Sequence, residues 1–518
     1  MWCRQPAATW STSPPQHAGS SAPPTVSPST PTSAQGGPRE DPFRSGAARR
    51  PAGHGAGRPA GGPCPGDDDT HTGTLADGAT WQIRVPADWN GTLLLYSHGY
   101  RAPGSPNPAQ DVSDPVTGGW LLDHGFALAG SSYASTGWAV KEALADQTAV
   151  LDEFEARVGR PRQTIAWGDS LGGMVTAGLV QRIPGRLDGA LPGCGVVGGA
   201  VAIWNQALDS VFAFKVLLAP DSALQLVHIT DPAANLDLAT KTLAAAQATE
   251  AGRARLALVA ALNNTPGWAD PTAPEPAPDA YATRQLNQYA LMNATFPFPF
   301  AFRAELEARA GGNPSWNLGV DYARQLQRSV DRDEVEALYA QAGLDLDADL
   351  RTLNRAPRIA PDLDAVGYAI RNIAFNGRLG GVPVLSLHTT GDPLVVVQQE
   401  RAYAQAVRAA GDAGLLRQAF VHRAGHCTFT PAERIAALQA LVYRVETGAW
   451  DDATAPERLN PAATALGAGL NLLLLSATTQ VPTPPAFQAY APGPFLRPFN
   501  LPPFVPNVAD PLRLDTAA

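Results

Sequence analysis

Lysine is nearly missing from this chain: of 38 basic residues only Lys141, Lys215 and Lys241 are lysines. No block of Lys or Arg occurs in the 518 residues, and the net charge of -9 is thinly spread, so nothing points to nucleic acid or an anionic membrane surface as a partner. Long apolar runs are missing too. The nearest, Leu470 to Leu475, falls far short of the roughly 18 residues that span a bilayer, which argues against an integral membrane segment. The start, MWCRQPAATWSTSPPQ, has one Arg and no continuous apolar core, so no clear signal peptide is present. The compartment stays open, with secretion or the cell envelope favoured over the cytoplasm. Cysteine is scarce: Cys3, Cys64, Cys194 and Cys427 contain no CxxC and no metal-ligand spacing, so a structural metal is not expected.

What is there is apolar and ordered in a pattern. A chain 45% apolar and 16% charged fits a soluble globular protein with room for two or more domains. Residues 1–68 are rich in Pro, Ser and Ala and short of large apolar side chains, the composition of a disordered leader. From 69 to 199 strands and helices follow one another. Thr72 to Leu75, Thr80 to Val85 and Thr92 to Tyr96 read as a β-meander; strands at Phe126 to Ala129, Thr164 to Trp167 and Leu187 to Leu191 alternate with helical segments. Residues 200–380 then carry only helical segments broken by Pro-rich loops. The strand–helix alternation resumes over 381–450 with strands Val384 to His388 and Gln418 to His422. Eight strands alternating with helices predict a mostly parallel sheet covered on both faces, with a large helical cap inserted after the sixth strand. The Pro-rich tail, 451–518, is expected to lie extended on the body or to be partly disordered.

One stretch carries chemistry. Thr164 to Val175 reads TIAWGDSLGGMV, a strand, a tight turn and a helix with Ser170 at the apex. A serine on a strained strand-to-helix turn needs small residues two positions either side, and Gly168 and Gly172 supply them. The backbone N–H of Leu171, at the start of the helix, then faces the place where an oxyanion forms. A nucleophilic serine also needs a base and a carboxylate to orient it, on loops after later strands. Asp392, in Thr390-Gly391-Asp392-Pro393, and His426, in Gly425-His426-Cys427, follow the last two strands in that order.

Taken together, HGY at 98–100, GDSLG at 168–172, TGDPLV at 390–395 and GHC at 425–427 resemble the α/β-hydrolase superfamily over about 80–200 and 382–447. The resemblance implies a serine nucleophile at Ser170, a general base then acid at His426, an orienting carboxylate at Asp392, and an oxyanion hole from the backbone N–H groups of Leu171 and Tyr100. It implies an acyl-enzyme and no cofactor. Cys427 follows His426 and Cys194 ends the strand after the serine helix, which sets both at one sheet edge; they are either two small buried thiols or a disulfide pinning the histidine loop. A bridge would be similar to feruloyl esterases and tannases, in which a cysteine before the serine pairs with one after the histidine. Here Asp169 holds the position before Ser170.

Bland roles stand beside these. Asp392 before Pro393 suits a turn, His98 suits loop ordering, and Asp169 reads as an exposed elbow residue with a local hydrogen bond. His422 lies inside the last strand, which leaves His426 as the base. The FPFPF stretch at 296–300 and Trp204, Trp268 and Trp316 either line an apolar acyl or aryl pocket or are plain core. The expected activity is carboxylic ester hydrolysis on a small-molecule ester or short peptide. The alternatives are a capped aminopeptidase, for which Glu334 and Glu336 would bind the substrate ammonium, and an inactive binding protein, against which the ordered Ser, Asp and His argue. Substrate and oligomeric state are not legible.

Overall fold

The computed structural model describes residues 69–476 and 478–498; the expected leader, 1–68, and the last part of the tail lie outside them. The strands are β1 (Asp69–Thr74), β2 (Thr80–Val85), β3 (Thr92–Ser97), β4 (Ala127–Ser131), β5 (Gln163–Asp169), β6 (Gly189–Gly193), β7 (Val384–Gly391) and β8 (Leu416–Ala424). After them come β9 (Leu472–Leu474) and β10 (Gln480–Pro482), which pair with each other, and β11 (Phe487–Gln488), which pairs antiparallel with β8. The large sheet runs β1-β2-β4-β3-β5-β6-β7-β8-β11. The expected eight strands thus gain a short ninth from the tail, which covers the edge that β8 otherwise leaves open.

The first three strands are not a meander. β2 pairs with β4, and β3 lies on the far side of β4, parallel to both β4 and β5. Burial explains the order. All of β3 is buried, so it needs covering on both faces, whereas β1 and β2 alternate and suit an edge. Along β3 the side chains divide by the two-residue period: Leu93 and Leu95 enter the core on one face, Leu94 and Tyr96 the core on the other.

Helices α1 (Pro115–Asp123), α2 (Val140–Arg157) and α3 (Leu171–Arg182) belong to the first half of the sheet. Between β6 and β7 come α4 (Ala200–Leu218), α5 (Pro232–Gln247), α6 (Glu250–Ala261), α7 (Tyr281–Thr295), α8 (Arg303–Ala310), α9 (Tyr322–Arg328), α10 (Arg332–Gln341), α11 (Leu346–Arg355) and α12 (Leu363–Arg371). Most of them share a core separate from those of the sheet, with Leu208, Phe214, Leu258, Phe300, Tyr322 and Leu353 inside it. Leu236 to Leu262, which by sequence reads as one helical segment, is two helices, α5 and α6. Thr249 caps the second through the N–H of Gly252, where a Cβ would meet the Ala246 carbonyl at 2.0 Å, so the chain turns there and needs glycine. By length and composition α4 could cross a membrane, but it is largely buried inside the protein. The sheet half finishes with α13 (Gln398–Ala409) and α14 (Pro431–Thr447), and the tail forms α15 (Pro456–Ala465) before β9. Among the described residues of the tail, Phe495 and Leu496 are buried and Arg497 pairs with Asp209 of α4 at 2.7 Å.

Candidate active site

β5 delivers Ser170 into a turn with φ +61°, a backbone region that side chains rarely adopt, and α3 starts at the next residue. The glycines around it answer to a neighbouring strand. A Cβ on Gly168 would lie 2.4 Å, and one on Gly172 1.9 Å, from the carbonyl oxygen of Ser97 at the end of β3. Leu171, as the first residue of α3, carries one of the N–H groups that no helical carbonyl reaches. The chain at Gly99 also passes close, since a Cβ there would stand 3.4 Å from that of Ser170.

Three side chains from the ends of three strands meet. Ser170 Oγ is 2.8 Å from His426 Nε2, and His426 Nδ1 is 2.7 Å from Asp392 Oδ2. Asp392 follows β7 and is buried; its other oxygen accepts the N–H groups of Leu394 and Val395 at 2.9 and 2.8 Å. Burial opposes its charge, yet His426 and His388 beside it outweigh burial and hold the carboxyl at about 2. The histidine loop is tied to the aspartate loop. Gly425 donates to the Gly391 carbonyl at 2.9 Å, and Thr389 Oγ1 to the Gly425 carbonyl at 2.7 Å.

Cys194, after β6, is joined to Cys427 in a disulfide with Cα atoms 5.4 Å apart. Among the described residues, one cluster of metal-type ligand atoms is Cys194, His426 and Cys427, whose sulfurs the disulfide occupies. Asp169 departs from its expected place at the surface. It is buried, ion-paired with Arg434 of α14 at 2.6 Å and 3.3 Å from the Tyr96 hydroxyl. An elbow that points its serine outward turns the preceding side chain inward, and a carboxylate there needs a buried cation. His98 is held by the backbone around it. Its nitrogens sit 2.7 and 2.9 Å from the Gly99 and Ser132 carbonyls, its ring stacks on Tyr133, and burial with Arg101 pushes it down to about 4.

A cavity opens on Ser170 and Leu171. The sheet half contributes Tyr100, Trp138, Val196 and Leu394; the insertion contributes Ile203, Trp204, Val211, Met292, Phe296 and Phe298. No charged side chain is among its lining residues. Of the flagged aromatics, Trp204 and part of FPFPF line it, whereas Trp268 packs on His422 at 4.9 Å and Trp316 is core. Glu334 and Glu336 are elsewhere: Glu334 is buried against Arg284 at 2.9 Å, and Glu336 pairs with Arg332 at the surface. Sequence reasoning passed over Trp138, Arg434 and His388. Arg434 carried one signal, its place four residues after the Thr430 cap on the buried face of α14.

Parallel strands, an elbow serine between a strand and a helix, and an acid and a histidine after the last two strands define an α/β-hydrolase. Residues 71–430 match the tannase-like family of unknown function (DUF6351), and the chain belongs to that family. It is 31% identical over 430 residues, 77% of this chain and 91% of the relative, to an o-phthalyl amidase from Xanthobacter agilis. Similar solved structures include feruloyl esterase B from Aspergillus oryzae (14% identity, 74% of this chain and 80% of that one, TM-score 0.34). Another is a tannin acyl hydrolase from Aspergillus niger (14% identity, 81% and 83%, TM-score 0.36). The fold and the family make this chain a hydrolase.

Proposed function

We propose that this protein hydrolyses carboxylic esters or amides of uncharged, apolar acyl groups through an acyl-enzyme on Ser170. His426 Nε2 takes the Oγ proton as the oxygen attacks the carbonyl carbon, and returns it to the leaving alcohol or amine. It then takes a proton from the water that releases the acid and regenerates Ser170. Asp392 holds the imidazole in the tautomer that leaves Nε2 free to accept, and the N–H groups of Leu171 and Tyr100 are assigned to the oxyanion. The observation that carries this reading is the Ser170–His426–Asp392 chain of hydrogen bonds at the mouth of an apolar cavity.

Amides stand beside esters because the relative at 31% identity is an amidase. The aminopeptidase alternative loses its support, since both candidate acids are engaged away from the cavity. The helical insertion serves as the lid that sets acyl specificity. The disulfide favours an oxidising compartment and thus export; peptide mapping of unreduced protein tests it, and two free thiols would remove that support. The function is tested with aryl esters of graded acyl length, aryl-acyl anilides and aminoacyl anilides, with Ser170→Ala as control. Turnover of the first two sets that vanishes in the variant supports the proposal; cleavage of aminoacyl anilides alone overturns it.

A further inference from the structure

His388 lies in β7, fully buried, four residues before Asp392. Its Nδ1 is 3.0 Å from Glu400 Oε1 and its Nε2 is 2.7 Å from the Val395 carbonyl oxygen. Both nitrogens face acceptors, as do those of His98, but here one acceptor is the Glu400 carboxylate, and a second carboxylate stands beside the ring, an arrangement that favours a hydrogen on each nitrogen and an imidazolium. Glu400 is arranged for this. Its other oxygen accepts from Ser386 Oγ at 2.6 Å and Gln418 Nε2 at 2.5 Å, so every hydrogen bond it makes is to a donor. On the far side, His388 Nε2 stands 3.6 Å from Asp392 Oδ2, the oxygen that holds His426. Asp392 therefore lies between two imidazole rings.

We propose that His388 is a positioning residue that stays protonated across the working pH range, anchors the Asp392 turn through Val395, and offsets the Asp392 charge that favours a proton on His426. The inference rests on the triad reading above. Burial works against the His388 charge, but the Asp392 carboxylate close to Nε2 and the Glu400 carboxylate hydrogen-bonded to Nδ1 overcome it and push the ring up to about 10. The ionisable groups facing this cluster are Asp392 of the turn, Glu400 of α13 with Tyr403 next to it, and His426 beyond Asp392; β8 supplies the amide of Gln418. Charge bookkeeping sets the sign. His388→Gln leaves Glu400 and Asp392 uncompensated, which strengthens the hold on a proton at His426. Glu400→Gln removes an anion and cannot have that effect.

The test is the pH dependence of Ser170 phosphonylation by a fluorophosphonate, read by mass spectrometry, which needs no natural substrate. In His388→Gln the acid limb is expected to move up by about half to one pH unit, and in Glu400→Gln it is expected not to move up. A merely structural role would slow labelling without moving the limb. An unmoved or lowered limb in His388→Gln, or an upward move in both variants, overturns the proposal. Ring-nitrogen NMR of histidine-labelled wild type tests the cation directly, whether or not the variants fold. One histidine protonated on both nitrogens at pH 8.5, and altered in Glu400→Gln, is expected; its absence overturns the proposal. If wild-type Ser170 is not labelled, the triad reading fails on its own, while the NMR result still decides the state of His388.

Discussion

Along the parallel strands buried charge gathers where the strands end, whereas in the helical insertion it runs through the body. Asp169 closes β5, His388 and Asp392 flank the end of β7, and Arg423, paired with Glu433 at 2.6 Å, stands near the end of β8. In the insertion, by contrast, Asp209 lies in the middle of α4 and binds Arg497 of the tail, and Arg303 of α8 binds Glu307 at 2.8 Å and Asn313 at 2.5 Å. Arg284 of α7 faces Asp331 and Glu334 together. A strand interior has its backbone satisfied by its neighbours and takes mostly apolar side chains on both faces, so charge gathers toward the strand ends, and His388, still within β7, has the carboxylates of Glu400 and Asp392 beside it. Short helices have no such ladder, and ion pairs between them fix how they meet. The face that the insertion turns to Ser170 is nevertheless uncharged. The sheet edge concentrates the polar groups, and the insertion supplies apolar shape.

That contrast can be broken by substitution. Ser170→Ala is expected to lower kcat/KM by about 10⁴-fold or more with the melting temperature unchanged, checked by steady-state kinetics and calorimetry. A small loss would mean that the sheet edge is not the reacting edge. Asp169→Ala and Asp209→Ala each strand a buried arginine, and each is expected to cost about 3–5 kcal/mol in urea unfolding. The two should part in function: the first disturbs the elbow and lowers turnover, the second loosens α4 and raises protease sensitivity within 200–371. Phe298→Ala and Trp204→Ala are expected to change the preference between short and long or aromatic acyl groups by about tenfold, with less effect on the best substrate's kcat.

The smallest effect is that of pH on the two regions. Burial, outweighing Arg284, holds Asp331 at about 6 and Glu334 at about 7, above their ordinary values. These acids bind protons in the folded state that the unfolded chain has already lost above about pH 4.5, so their contribution to stability falls as pH rises from about 5 to 8. Asp392, held at about 2, has the opposite sign: its contribution is complete above its ordinary value of 3.8 and is lost as pH falls toward 2. Proteolysis of the insertion should therefore speed up between pH 5 and pH 8 while the rate of Ser170 labelling does not fall. Equal changes in both would erase the distinction.

Much of the sheet was legible because its signals are local. The elbow needs glycine on both sides of Ser170, and β-type runs alternate with helical periods, so strand order in the chain and the reading of an α/β-hydrolase followed directly. Pairing was not legible. The insertion of β4 between β2 and β3 depends on which strand must be covered on both faces, and β11 reaches β8 from a Pro-rich tail whose composition suggested little structure. In the insertion the helices were visible by period, but the break at Thr249 and the existence of α11 were not.

Ser170, Asp392 and His426 could be named in order from the sequence because each follows a strand and each is the residue type that acyl transfer needs. Their separations of 2.8 and 2.7 Å are facts of the folded chain. So are the joining of Cys194 to Cys427 across 233 residues, the burial of Asp169 against Arg434, and the meeting of His388 with Glu400. The physical reason is the same in each case. Periodicity and turn chemistry act between near neighbours in sequence, whereas the partner of a buried charge is chosen by which elements pack together, and one sequence does not display that choice along its length.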